Sequence, residues 1–427
     1  MDELVYWIWL SLACTPATGT FAKLLGTFNN AREVYEAEDR DISRCVGQRT
    51  SDRTALLDKD LTKAEEIFDF CRKYKVGLLS YADERYPESL REIPTPPVLL
   101  YYRGILPDFG KIFPVAMVGT RSLSSYGRKH TFKIAYDLAS AGAVIVSGMA
   151  RGIDGVAMAG ALAAGKPTVA VIGSGIDVCY PPEHLKLARE IVKTGCVLTE
   201  YPPKTQPGRY NFPARNRIIS GLSAATIVME GRERSGAIIT ARHAMDQNRV
   251  VYAFPGNVGE KNSEVTSLLI KNGAKLITSA DDVVRDFENV YLGIVNPFNL
   301  PEKIGVDMMD TLYEYGISAN CANDDIYIPN RTPSKPKSEI AAEQKDTSVA
   351  ESADSIREAG ASEPAMSFDA ESLSVYKRIP ATDSCPIESL VTDTMPLRKV
   401  MRCLLKLEMG RFVVMLPGER VARKMKL

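Results

Sequence analysis

Residues 113–148 read FPVAMVGTRSLSSYGRKHTFKIAYDLASAGAVIVSG. A short apolar run rich in Val, Ala, Met or Ile stands at each end, and a helix-length amphipathic segment lies between them, approached through Gly119, Thr120, Arg121 and Ser122. Strand, polar turn, helix and strand in that order make a βα unit, because a parallel partner strand is reached only through a crossover. The rhythm continues in "TVAVIG", "CVLTE", "ATIVME" and "VVYAFPG". From Ile112 to about Phe287 the text therefore predicts an α/β fold on an open, mainly parallel sheet.

Outside that block the character changes. Residues 1–80 alternate short amphipathic patterns with Gly and Pro punctuation, as in "FAKLLGTFNNAREVYEA" and "KAEEIFDFCRKYKVGLLS", and read as a small helical domain. The proline-marked "YPESLREIPTPPVLLYYRG" leads into the sheet domain, expected over residues 81–290. Residues 330–376 are rich in Ser, Ala, Glu, Asp, Lys and Pro, cannot support a core, and are expected to form a disordered linker. Pattern returns over residues 377–427, where "PLRKVMRCLLKLEMG" reads as a helix and "RFVVMLPGERVAR" as a hairpin turning at Pro417-Gly418. Helices followed by a hairpin have the shape of a winged helix.

The chain has 427 residues, 45% hydrophobic and 25% charged, enough to bury a large core in two or three domains. Lys and Arg number 53 and so do Asp and Glu, so any grip on a polyanion has to come from local clustering. The eight cysteines (Cys14, Cys45, Cys71, Cys179, Cys196, Cys321, Cys385, Cys403) are dispersed without a CxxC pair, and only His130, His184 and His243 could join them. Neither a disulfide framework nor a metal site is expected, and a reducing cytoplasm is the expected home. The apolar "VYWIWLSLAC" has Asp2 and Glu3 where a signal peptide carries positive charge, and no stretch reaches membrane-spanning length.

In an open parallel sheet the loops after the strands share one edge, where ligands bind. Those loops here are "GTRS" (119–122), "SGMARGID" (147–154), "GSGID" (173–177), "TEYP" (199–202), "EGRERSGAIITAR" (230–242) and "PGN" (255–257). Glycines 119, 148, 152, 173, 175 and 236 allow close backbone approach, and Arg121, Arg151, Arg217 and Arg234 offer fork-shaped donors. Helix N-termini after most of these loops add attraction for anions. Taken singly, each feature has a plainer reading: a tight connection for a glycine, a salt bridge from Arg217 to Glu200 or from Arg232 to Glu230, a helix cap for Asp154. Their repetition at several strand ends points instead to a ligand carrying phosphates.

Signatures of nucleotide enzymes are missing. "GALAAGKPT" (160–168) has Pro167 where a P-loop needs Ser or Thr, and it runs from helix to strand instead of strand to helix. No GxGxxG follows the first strand. The acids Asp154, Asp177, Glu200 and Glu230 are scattered over separate loops. A phosphate-binding groove without a triphosphate motif fits a nucleic-acid strand better than ATP or NAD.

"NFPARNRIISGLS" (211–223) carries a puzzle of its own. Arg215 and Arg217 fall in what reads as the first turn of a helix, the wrong end for a cation unless an anion is present. Two readings stand for Arg217: it receives a phosphate, with Asn216 and Arg215 beside it, or it is held by Glu200.

"MVGTRSLSSYG", "VSGMARGIDGVAMAGAL", "GSGIDVCYPPEH", "TEYPP", "FPARNRIISGLS", "RSGAIITARHA" and "YAFPG" resemble, in order and spacing, the DNA-processing protein A family (DprA, also called Smf), over about Tyr81 to Val284. The resemblance implies a Rossmann-like fold with helices on both faces of the sheet, preceded by a sterile-alpha-motif-like or helix-hairpin-helix-like domain and often followed by a winged helix. It implies a homodimer that binds single-stranded DNA and loads the RecA recombinase onto it in natural transformation; such binding and hand-off require no chemical step, and no cofactor or metal is expected. DNA contacts are then expected at Gly119, Thr120, Arg121, Ser147, Gly148, Arg151, Asn216, Arg217, Arg234, Ser235 and Gly236; Arg121 and Arg234 occupy the positions of the family's DNA-contacting basic residues. Two departures stand out: Arg234 replaces the usual Lys, and "SEVTSLLIKNGA" has Val265 and Ser267 where relatives have Gly and Asn. The rival expectation is a nucleotide hydrolase or phosphoribohydrolase on a similar sheet, with Glu200 or Glu230 as acid/base and Arg121 on a phosphate. The Pro-Gly-Gly-x-Gly-Thr loop typical of such enzymes is missing.

Overall fold

The computed structural model describes residues 2–47, 51–232, 235–317, 370–380 and 384–392, with residues 395, 399–400, 402–404, 407, 413–416 and 420–423. The chain divides into two compact units, residues 1–323 and 324–427.

The first unit begins with six helices: α1 (Glu3–Ala13), α2 (Thr20–Leu25), α3 (Ala31–Glu36), α4 (Asp39–Val46), α5 (Ser51–Leu57) and α6 (Thr62–Lys73). The apolar α1 is the axis of this group, with Val5 to Leu10 buried and α3, α5 and α6 packed around it. Its start is capped by Asp2, whose carboxylate accepts from Leu4 N at 3.0 Å. The "KAEEIFDFCRKYKVGLLS" pattern, expected to be helical throughout, breaks after Lys73. Gly77–Ser80 is instead strand β1, antiparallel to β2 (Leu99–Gly104) across the short α7 (Glu88–Arg91). The β-carbon of any larger residue at position 77 would lie against the ring of Tyr102, so glycine here permits the close pairing of the two strands.

β2 pairs antiparallel with β6 and so joins the helical region to the sheet. The remaining strands are β3 (Phe113–Val118), β4 (Ala143–Ser147), β5 (Thr168–Val171), β6 (Cys196–Thr199), β7 (Ala225–Val228), β8 (Val250–Ala253) and β9 (Lys275–Leu276). The helices between and after them are α8 (Ser125–Ser140), α9 (Ile153–Ala163), α10 (Leu185–Thr194), α11 (Asn211–Gly221), α12 (Gly236–Asp246), α13 (Glu264–Lys271), α14 (Ala280–Phe287) and α15 (Met308–Glu314).

The sheet has nine strands in the order β1-β2-β6-β5-β4-β3-β7-β8-β9, all parallel from β6 to β9. It is a Rossmann-like α/β fold. The chain starts at β3, steps outward to β6, then crosses back to β7 on the other side of β3. This reversal makes β3/β7 the topological switch point, where a crevice opens at the carboxyl edge. β3 to β7 are buried along their whole length, as a sheet covered on both faces requires. The core runs without a break from α1 through the sheet to Leu312 and Ile317. Full burial of large side chains such as Phe113, Phe132 and Tyr252 contributes about 1.5–3 kcal/mol each.

In the second unit, α16 (Ala370–Arg378) precedes a three-stranded antiparallel sheet in the order β10-β12-β11 (Ser384–Pro386, Arg420–Arg423, Val413–Leu416). Val375, Ile379, Ile387, Leu390, Leu404 and Val421 are among the residues of its own apolar core. The expected linker lies outside the described residues up to residue 369, and so does the expected turn at Pro417-Gly418.

Candidate nucleic-acid interface

The loops after β3, β4 and β7 are locked to one another by backbone contacts. Thr120 N donates to Glu230 O at 2.8 Å, which ties the β3 loop to the β7 loop across the switch point. Ile153 N donates to Thr120 O at 3.2 Å, which ties the β4 loop to it as well. Gly152 makes this approach possible. Its φ is +79°, and a β-carbon there would meet the carbonyls of Thr120 and Arg121 and the Cα of Arg121. Gly119 is likewise pressed between Ile153 and Glu230 O, and Gly148 between the guanidinium of Arg215 and the carboxylate of Asp154. The Thr120 hydroxyl, almost fully buried, accepts from Ser122 N at 3.2 Å and shapes the turn that presents the exposed Arg121.

Arg121 lies with its guanidinium carbon 5.2 Å from the ring centroid of Phe212. Among the described residues no carboxylate forms an ion pair with it. Phe212 sits at the start of α11 and packs against Tyr180, ring centroids 5.5 Å apart and planes tilted by 39°. Gly173 makes room for it, since a β-carbon there would press on the ring at 3.1 Å. Asn211 Nδ2 donates to Gly173 O at 3.1 Å and fixes the helix start against the β5 loop. Next to this, Tyr210 is 73% exposed with Arg209 at 4.6 Å over its ring. The rim therefore alternates guanidinium groups and partly exposed rings, the pairing that suits a backbone of phosphates and unstacked bases.

The puzzle of the α11 arginines resolves inside the protein. The helix begins at Asn211, so Arg215 and Arg217 fall in its second turn, past the positive end. Arg217 is buried and forms a bidentate pair with Glu200, both contacts at 2.7 Å; its Nε donates to Thr95 O at 2.9 Å. The anion it meets is Glu200, and the expectation that Arg217 receives a strand phosphate is corrected: no part of its donor fork faces solvent. Arg215 is also buried and donates to Val171 O and, at 2.8 Å, to Gly148 O. It lies beside Asp154, whose carboxylate accepts from Gly148 N at 3.1 Å and Ala150 N at 3.4 Å. Burial pushes Arg215 down to about 10 and Asp154 up, while the charge of each favours ionisation of the other.

Ser147 is fully buried and its hydroxyl donates to Met117 O at 2.6 Å, so the expected DNA contact there is corrected to a strut between β3 and β4. Gly119 and Gly148 serve internal packing, as described. Arg151 pairs with Glu183 and braces the β4 loop against the segment before α10. The part-buried Asn216 reaches Gly236 O at 3.5 Å and joins α11 to the α12 N-terminus. Ser235 caps α12 by accepting from Ala237 N at 3.3 Å, and Gly236 opens to free space. Arg234 lies outside the described residues. Val265 is buried, and its N donates to Gly231 O at 3.0 Å, so it supports the β7 loop.

The four loop acids all have protein partners. Glu230 accepts from Ser124 N at 2.9 Å, from the Ser124 hydroxyl and from Asn262 Nδ2 at 3.3 Å, and its carboxylate lies at the N-terminus of α8. Asp177 accepts from Lys204 N at 2.7 Å. Glu200 and Asp154 are occupied as above. No group of three His, Cys, Asp or Glu placed to hold a metal occurs among the described residues. None of their helices is long and apolar enough to cross a membrane.

The family model for DNA recombination-mediator protein A matches residues 77–288. DNA processing protein DprA of Streptococcus pneumoniae is 46% identical over 214 residues, half of this chain and 75% of that protein. DNA processing protein DprA of Bacillus subtilis is 37% identical over 236 residues, 55% of this chain and 80% of that protein. The X-ray structure of the S. pneumoniae protein superposes with a TM-score of 0.60 at 38% identity, covering 67% of this chain and 99% of that one.

Proposed function

The chain belongs to the DNA-processing protein A (DprA/Smf) family, and from that premise we propose that its switch-point rim binds single-stranded DNA. The observation that carries this reading is Arg121: an exposed guanidinium, held on the Phe212 ring at the carboxyl edge, in a turn fixed by contacts from two neighbouring loops. Single strands suit it because a partly exposed ring offers a face to any base, whereas a duplex keeps its bases stacked. Asn216, Ser235 and Gly236 extend the rim toward the α12 N-terminus, and Arg234 adjoins it in sequence.

No chemical step belongs to this reading. The acids that the hydrolase alternative needs are spent on Arg217, Ser124 and Asn262. The protein holds a strand as a homodimer in the cytoplasm and delivers it to the RecA recombinase during natural transformation, in keeping with the recombination-mediator description of its family.

Binding of a fluorescent single-stranded oligonucleotide to wild type and Arg121→Ala tests this. Affinity is expected to fall. The slope of log K against log salt should shrink by about 0.7 for one lost phosphate contact. Unchanged affinity and slope would refute the assignment.

A further inference from the structure

Beyond Arg121 along the same turn stands a second aromatic group that the rim described above does not include. Tyr126, in the first turn of α8, is 45% exposed. Its ring packs against His130 at 4.4 Å, the two planes tilted by 53°, and lies 5.6 Å from Phe254, and His130 lies 5.1 Å from Phe254. Its hydroxyl donates to Pro255 O at 3.3 Å, so both ends of the side chain are held. Phe254 is buried and forms the back of the group. A tyrosine fixed in this way yet open to solvent over nearly half its surface is costly to explain by core packing alone. It has lost its rotamer freedom with only part of its ring buried, the condition that lowers the entropy cost of receiving a flat partner.

The surroundings are basic on the α8 side. Lys129 is exposed, and Lys129 and Lys133 lie close enough to His130 to lower its pKa further after burial, the larger influence. Lys133 is paired with Asp137 at 2.8 Å, and Lys129 is exposed to solvent. The loop after β8 adds the exposed Lys261 and Glu260, and the start of α13 the exposed Glu264. The turn from Arg121 to Tyr126 is continuous and rigid: Asn262 Nδ2 donates to Ser122 O at 2.9 Å, and Ser124 is held by Glu230. Five residues of chain span no more than about 18 Å, the reach of a few nucleotides.

We propose that Tyr126, backed by His130 and Phe254, is a second base-stacking platform that takes the continuation of the same single strand past Arg121. The proposal rests on the strand-binding reading of the Arg121 rim and adds the direction in which the strand leaves it, along the first turn of α8. Lys129 meets the backbone of that continuation.

Two single-stranded oligonucleotides, one of about three nucleotides, too short to reach from Arg121 to Tyr126, and one of about 20, separate the two sites in the full-length protein. Tyr126→Ala is expected to leave affinity for the short strand within about twofold and to weaken the long strand about tenfold, as for one lost stacking contact. Tyr126→Phe keeps the ring and retains wild-type affinity for both. Arg121→Ala weakens both lengths. If Tyr126→Ala changes neither length, or lowers both by the same factor, the second platform does not exist. That failure is distinct from failure of the Arg121 rim, which would show as no effect of Arg121→Ala on either strand. Should Tyr126→Ala fail to fold, loss of long-strand affinity on Lys129→Glu, with short-strand affinity retained, supports the path, and equal affinities overturn it.

Discussion

Arg121 rests its guanidinium on Phe212 in solvent, whereas Arg217 is closed in by Glu200, Thr95 and Ala214. Arg217→Ala strands a buried carboxylate and is expected to cost about 3–5 kcal/mol, read as a drop in thermal or urea midpoint. Arg121→Ala should stay within about 0.5 kcal/mol of wild type in the same assay while losing strand affinity. Phe212→Ala belongs with Arg121: a loss of about 1–3 kcal/mol in strand binding with an unchanged salt slope, since a ring displaces no counterion. The arginines could be located from the sequence, but their roles could not. "RNR" states the type and spacing, while the partner that decides between phosphate and protein lies 17 residues away at the end of another strand. The aromatic half of the rim, Tyr180, Tyr210 and Phe212, is not legible in the sequence, because a ring beside a helix start has the same letter whether it faces core or solvent.

Among elements, the βα units from β3 to β8 were plain in the text because each buried strand is a continuous apolar run. β1 was hidden: Val76 to Ser80 follows α6 closely enough to continue its apolar spacing, and the pairing that makes it a strand comes from β2, more than 20 residues on. The loop that matters most is the one closed by Gly152. Gly152→Ala adds a β-carbon against the Thr120 and Arg121 backbone at a φ that L residues rarely adopt. It should displace the Arg121 turn, so strand affinity falls at least as far as in Arg121→Ala while far-ultraviolet circular dichroism stays helical. Wild-type affinity in that variant would mean that Arg121 needs no such support.

For the molecule as a whole, His130, His184 and His243 give a pH dependence whose sign is fixed. Burial, the largest influence on each, lowers their pKa below 6.5 in the folded chain. The unfolded chain then binds more protons as the pH drops through about 6.5, so their contribution to stability is present above that value and lost below it. The urea midpoint should fall between about pH 7.5 and 6; a midpoint that holds or rises contradicts the burial of His184 and the partial burial of His130 and His243. All described rim residues belong to the unit of residues 1–323, so that unit alone should bind single strands within a few-fold of the full chain. The measurement that tests the central claim most directly is a salt titration of single-strand affinity for wild type, Arg121→Ala and Arg217→Ala. The account predicts lower affinity and a slope smaller by about 0.7 for Arg121→Ala, and an unchanged slope for whatever fraction of Arg217→Ala remains folded. A reduced slope for Arg217→Ala, with Arg121→Ala behaving as wild type, would contradict it.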